Sequence, residues 1–281
     1  MTTQRIRGPR KHIQEHWPEY LIEASLLATF MLSACTFGIL LYHPSSFLAS
    51  AIQNEFARRV IMGFAMGATA AILIYSPLGK RSGAHFNPAT TLTFFRLGKI
   101  SGWDALFYMS AQFVGGILGV AIAVLLAGDA LATPSVNFVA TIPGDTGVFA
   151  AFCCEFAIAF VLITAVLYLS QSGYSQYTGL AAACLVMLYI SFESPISGMS
   201  MNPARSLGSA FFANNYSSLW IYFLAPTLGM LMAAECHLLV KSDYKACAKL
   251  HHDHTQHCIF CAFHQRKGKG IRRTRTSEPI V

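Results

Sequence analysis

The chain has 281 residues, 54% of them hydrophobic and only 12% charged, with a formal net charge of +7 and a mean hydropathy of +0.48. A soluble domain carries about twice that share of charge, so the composition points to a membrane protein with little chain left for a soluble domain. The positive charge sits at the ends and in short runs between apolar stretches, where it reads as topology, and nucleic-acid binding is a poor explanation of it.

In chain order, residues 1–19 are a basic segment containing Arg5, Arg7, Arg10 and Lys11. Apolar stretches follow at about 20–42, 57–77, 104–127, 148–170, 177–193 and 218–241. Several reach the roughly 20 residues that a helix needs to cross a bilayer, which predicts six spans. The first, beginning at Tyr20, is too long for the core of a cleavable signal peptide. Lys80, Arg81, Arg96 and Lys99 lie on the same side as the basic N-terminal segment, and the tail after Lys241 is basic too. By the positive-inside bias, both termini face the cytoplasm of a multi-pass cell-membrane protein. Arg58 and Arg59, at the outer start of span two, are mild exceptions.

Between spans two and three the sequence reads Asn87-Pro88-Ala89, and between spans five and six it reads Asn202-Pro203-Ala204. Asn is a favoured helix N-cap and Pro a favoured first helical residue, so each tripeptide is a helix start. About ten helical residues follow each one, roughly 15 Å and half the hydrocarbon thickness. Neither piece spans alone. The predicted fold is therefore an all-α membrane protein of six transmembrane helices plus two re-entrant half-helices, in two halves at 20–127 and 148–241. Each half has three crossings, an odd number, so the second is inverted relative to the first. Such repeats place a solute path at their interface, an architecture shared by channels and carriers.

Glu23 in span one and Glu155 in span four occupy matching places in the halves. An intramembrane carboxylate is costly and marks function. It either carries protons in a coupled transporter or serves as a fixed acceptor for the irregular backbone before each Asn-Pro-Ala, and the second role is favoured because that backbone must be satisfied within the protein. Gly63 and Gly67, Gly115 and Gly119, and Gly179 with Ala183 have the spacing of close helix packing. Cys35, Cys153, Cys154, Cys184 and Cys236 fall within spans and imply no disulfide framework. No Ser/His/Asp or paired-carboxylate constellation shares an aqueous site, so an enzyme is not expected.

The runs Ser82-Gly-Ala-His-Phe-Asn-Pro-Ala-Thr-Thr91 and Ser197-Gly-Met-Ser-Met-Asn-Pro-Ala-Arg-Ser206 resemble the two signature loops of the aquaporin, or major intrinsic protein, family. Glu23, Glu155, Gln112 and Pro226 are similar to that family as well, and the resemblance covers about 20–241. It implies a homotetramer with one pore per subunit, passing water and other small neutral solutes with no cofactor. The glycerol, ammonia, hydrogen peroxide and metalloid channels are alternatives within the family, and an ion-coupled secondary transporter is the alternative outside it. In the pore, two half-helix N-termini repel cations, Asn87 and Asn202 donate to a passing oxygen, and Arg205 adds a fixed charge toward the outer mouth, unless it is only a helix-end ion pair. His85 either braces its loop or lines the path through its carbonyl. Ser206 and Ala210 resemble the water-channel subgroup, yet Ile190 stands where that subgroup has a narrowing His, and Met199 where Cys or Thr is usual. The expected selectivity filter is Arg205, Ile190, Met199 and a span-two residue, Met66 rather than Gly67. This ring is wider and less polar than one of Arg plus His.

The tail, residues 242–281, holds Cys247, Cys258 and Cys261 and five of the ten histidines within eighteen residues. Cys258 and Cys261 have knuckle spacing and Cys247 and His251 have helical spacing, which suits one zinc ion held by Cys247, His251, Cys258 and Cys261. The competing expectation is a solvated His-rich tail. The final basic stretch from Arg266 is expected to be disordered or to rest on anionic lipid.

Overall fold

The computed structural model describes residues 8–252, 258–261 and 263; the expectation for the stretch from Arg266 lies outside them. Its helices are α1 (Pro9–Tyr42), α2 (Phe47–Ala51), α3 (Glu55–Tyr75), α4 (Pro77–Ser82), α5 (Pro88–Arg96), α6 (Gly102–Ala127), α7 (Gly147–Leu169), α8 (Thr178–Phe192), α9 (Ser194–Ser197), α10 (Pro203–Ala213) and α11 (Leu219–Lys241). Among the described residues, six helices are long and apolar enough to cross a membrane: α1, α3, α6, α7, α8 and α11. The short α5 and α10 begin at the two Asn-Pro-Ala tripeptides. Asn87 and Asn202 are the N-caps, each side chain accepting from the backbone N–H two residues on.

α1 starts at Pro9, well before the apolar stretch, so much of the basic 1–19 segment is helical. The cause is a polar anchor that hydropathy does not register. His16 and Tyr20 both meet Asp104 Oδ1 at 2.7 Å, His12 meets it at 3.1 Å, and Ser101 donates to Oδ2 at 2.6 Å. On the next turn Arg81 pairs with buried Glu19 at 3.0 Å.

The two halves repeat element by element, with α1, α3, α4, α5 and α6 matched by α7, α8, α9, α10 and α11. Small residues set how close the helices come. A Cβ at Gly115 would lie 2.2 Å from the Ala24 carbonyl, at Gly63 2.5 Å from that of Met187, and at Gly229 2.3 Å from that of Phe156. These contacts join α1 to α6, α3 to α8 and α7 to α11, the main helix pairs of the bundle. Gly116 and Gly208 make a similar contact between α6 and α10. The arrangement is apolar outside and polar within. Leu125, Leu126, Ile72, Phe149 and Leu239 project outward, while Glu23, His85, Asn87, Gln112, Glu155 and Asn202 are buried.

Candidate functional site: a pore at the interface of the halves

Each half-helix is preceded by a loop whose backbone cannot pair with itself. Gly83 (φ 102°), Ala84 (53°) and Phe86 (27°) have positive φ, as do Gly198 (82°), Met199 (49°) and Met201 (54°) in the second half. Such turns point successive N–H groups inward, and a buried N–H without a partner is costly. One carboxylate meets that need in each half. Glu23 accepts from the Ser82 hydroxyl (2.7 Å), His85 N (3.1 Å), Phe86 N (2.6 Å) and Gln112 Nε2 (2.8 Å). Glu155 accepts from the Ser197 hydroxyl (2.8 Å), Ser200 N (2.6 Å) and Met201 N (2.7 Å). Tyr108 and Tyr222 donate to the Ser82 and Ser197 carbonyls at corresponding points.

The side-chain amides tie the halves together. Asn87 Nδ2 donates to the Met201 carbonyl at 2.7 Å, and Asn202 Nδ2 donates to the Phe86 carbonyl at 2.8 Å. Each amide has a second N–H, and both Asn residues line the same cavity.

That cavity, of about 280 Å³, runs along three helical stripes of four-residue spacing: Phe30, Ala34, Gly38 and Tyr42 on α1; Met62, Met66, Ala70 and Ile74 on α3; Ala182, Val186 and Ile190 on α8, continued by Ser194 at the start of α9. Twelve residues of α3 correspond to roughly 18 Å of path. Met66, Ile190, Met199 and Arg205 all line it. Gly67 does not, since it faces the Ala183 carbonyl instead. The Arg205 backbone N–H donates to the Asn202 side chain, while its buried Nη1 has no hydrogen-bond partner among the described residues. This differs from a helix-end ion pair, which would have filled the guanidinium with a carboxylate.

His85 has both ring nitrogens engaged, Nδ1 with the Thr91 hydroxyl at 3.0 Å and Nε2 with the Ala248 carbonyl at 2.9 Å. The tail therefore reaches the loop. Leu250 N donates to the Gly83 carbonyl at 3.1 Å, and Leu250 joins the cavity lining. Beyond the expected residues, the lining takes in the α1 stripe, the rest of the α3 and α8 stripes including Met62, and Leu250 of the tail. Met62 was within reach, because it lies one turn before Met66 on the same face.

Of the expected zinc ligands, the structure brings together Cys247, Cys258 and Cys261, and the histidine with them is His252. His251 is displaced from the set. Its ring packs against Tyr75 at 4.8 Å between centroids, because residues 243–252 are not helical and the four-residue spacing from Cys247 has no meaning there.

The pattern of the family described as Major intrinsic protein matches residues 14–237. The chain is 35% identical over 180 residues to Aquaporin NIP1-2 of Arabidopsis thaliana, covering 62% of this chain and 60% of that protein. It is 30% identical over 249 residues to Aquaporin NIP2-2 of Zea mays, covering 86% and 79%, and 31% identical to Nodulin-26 of Glycine max, covering 69% and 71%. For the first of these relatives the chain spans only about three fifths of the length. Among solved structures, the aquaglyceroporin from Plasmodium falciparum shares the fold, with a TM-score of 0.63, 17% identity, and coverage of 79% of this chain and 95% of that one.

Proposed function

The chain belongs to the major intrinsic protein family, and from that premise we propose that it is a passive channel for water and other small neutral solutes that excludes ions and protons. The observation that carries this reading is the convergence of both capped half-helix N-termini, Asn87-Pro88-Ala89 and Asn202-Pro203-Ala204, on one cavity that also meets Arg205. Each N-terminus brings roughly half a positive charge. Two of them and a guanidinium make the centre hostile to cations and hydronium. The second N–H of Asn87 and of Asn202 donates to a solute oxygen and turns a passing water so that it cannot relay a proton along the file.

Met66, Ile190, Met199 and Arg205 form the selectivity filter. Only Arg205 in this set is a strong hydrogen-bond donor, and its unpartnered Nη1 is the group that replaces water lost from a permeating solute. The other three walls are apolar, which lowers the cost of passing a molecule with a hydrocarbon face. Glu23 and Glu155 hold the two loops, and His85 braces the first. Transport requires no cofactor. We place the protein in the cell membrane with both termini cytoplasmic, as a homotetramer with one pore per subunit.

Stopped-flow shrinkage of proteoliposomes in osmotic steps of sucrose and glycerol tests the reading. Water permeability well above that of empty vesicles, glycerol entry, and loss of both in Arg205→Glu with the protein still folded are the expected results. Permeability equal to that of empty vesicles for every neutral solute, from folded protein, would remove the channel.

A further inference from the structure

We propose that Cys247, His252, Cys258 and Cys261 bind one zinc ion, and that the bound metal clamps the tail across the nearby mouth of the pore with Leu250 as the obstruction. The clamp rests on the channel reading above; the metal site does not.

The donor set is already gathered. Cys247 Sγ lies 3.4 Å from Cys258 Sγ and 3.6 Å from Cys261 Sγ, and His252 Nε2 lies 3.2 Å from Cys261 Sγ. Four ligands at zinc's usual distances of about 2.0–2.3 Å stand roughly 3.5–3.8 Å apart in a tetrahedron, so small outward shifts admit the ion. The sulfurs are free thiols, too far apart for a bond of about 2.05 Å. On binding, the thiol protons pass to water as Zn–S bonds form, and nothing is oxidised.

The cluster is built into the membrane domain rather than hung from it. Between Cys247 and His252 the chain makes three anchors: the Ala248 carbonyl on His85 (2.9 Å), the buried Lys249 ammonium on the carbonyls of Lys80 (2.6 Å) and Arg81 (3.0 Å) at the end of α4, and Leu250 N on the Gly83 carbonyl. Beyond them, Phe260 stacks on the His85 ring at 5.6 Å and meets Tyr108 at 5.8 Å. A metal tying Cys247 and His252 to Cys258 and Cys261 closes a ring of chain around these anchors. Leu250, which packs in the same apolar cluster as Ile74 and Ala182, is thereby fixed where those two residues line the pore. Its backbone N–H holds the same segment to the first loop through the Gly83 carbonyl.

The full chain, purified without chelator or histidine tag, is analysed for metal and reconstituted for osmotic shrinkage with zinc or with a strong zinc chelator on both sides. We expect about one zinc per chain, thiolate-to-metal absorption when cobalt replaces it, and water permeability that rises several-fold on chelation and falls again with zinc. Cys258→Ser with Cys261→Ser should lose the metal and the chelator response together. Leu250→Ala keeps every ligand, so it should hold zinc and conduct well even when loaded. Less than about a tenth of an equivalent after reloading, or recovery of a Cys247–Cys258 disulfide in place of metal, overturns the site. One equivalent with permeability indifferent to chelation and to Leu250→Ala overturns the clamp alone. Metal-free protein and Leu250→Ala both at the level of empty vesicles would defeat the channel reading and the clamp with it, while the metal count still decides the site.

Discussion

Glu155 accepts from two backbone N–H groups and a hydroxyl and is fully buried, and its double acceptor character is what the loop needs. Replacing it by Gln turns one oxygen into a donor that faces the N–H of either Ser200 or Met201. A buried donor left without an acceptor costs about 1–3 kcal/mol, so Glu155→Gln should unfold at a lower temperature in detergent by that equivalent while retaining its helix content. A melting temperature equal to the native one would show that the loop is held by something else. Asn202 makes a complementary case because its amide caps α10 with the oxygen and reaches the Phe86 carbonyl with the nitrogen. Asn202→Asp keeps the cap and loses the donor. It should therefore spare α10 and weaken the junction between the halves, and the negative charge beside the two helix N-termini should relax cation exclusion, read as a proton leak in a pH-jump assay on vesicles.

Among the elements, the helix pairs are set by glycines whose absent Cβ lets one backbone touch another. At Gly229 an added methyl would sit 2.3 Å from the Phe156 carbonyl, whereas at Gly173 nothing lies within 4 Å. Overpacking a close contact costs about 1–3 kcal/mol, so Gly229→Ala should destabilise the protein and Gly173→Ala should not, as followed by thermal unfolding in one detergent. These elements were largely legible in the sequence because period, length and capping are local properties. The six spans, the two half-helix starts and the carboxylate in each half follow from hydropathy, the Asn-Pro pairs and the rarity of charge in a span. Two features were not legible, each because a distant contact decided it. α1 begins at Pro9 because Asp104, far along the chain, gathers His12, His16 and Tyr20. His252 joins the cysteines because the tail is drawn out of helical form by its anchors on α4 and the first loop, which no spacing rule within 247–261 registers.

At the scale of the whole molecule, the question is whether the inverted repeats rock against each other, as a carrier requires, or stand still. Alternating access by rocking would have to separate the Asn87 amide from the Met201 carbonyl, the Asn202 amide from the Phe86 carbonyl, and the Gly116 and Gly208 backbones, all of which cross from one half to the other. The first of these bonds is buried and the second partly buried; an unmade buried bond costs about 1–3 kcal/mol, and the close α6–α10 contact would open with them. Glu23 and Glu155 add to the argument, since a coupled carrier would need a carboxylate that gives up its partners to take a proton, and here both are engaged by loop donors. The expected behaviour is flux proportional to the solute gradient without saturation, and no accumulation of any neutral solute against its own gradient when a pH step is imposed across the vesicle. Uphill accumulation under a pH step, abolished by Glu23→Gln or Glu155→Gln in folded protein, would show that the halves move and that the carboxylates are the coupling groups.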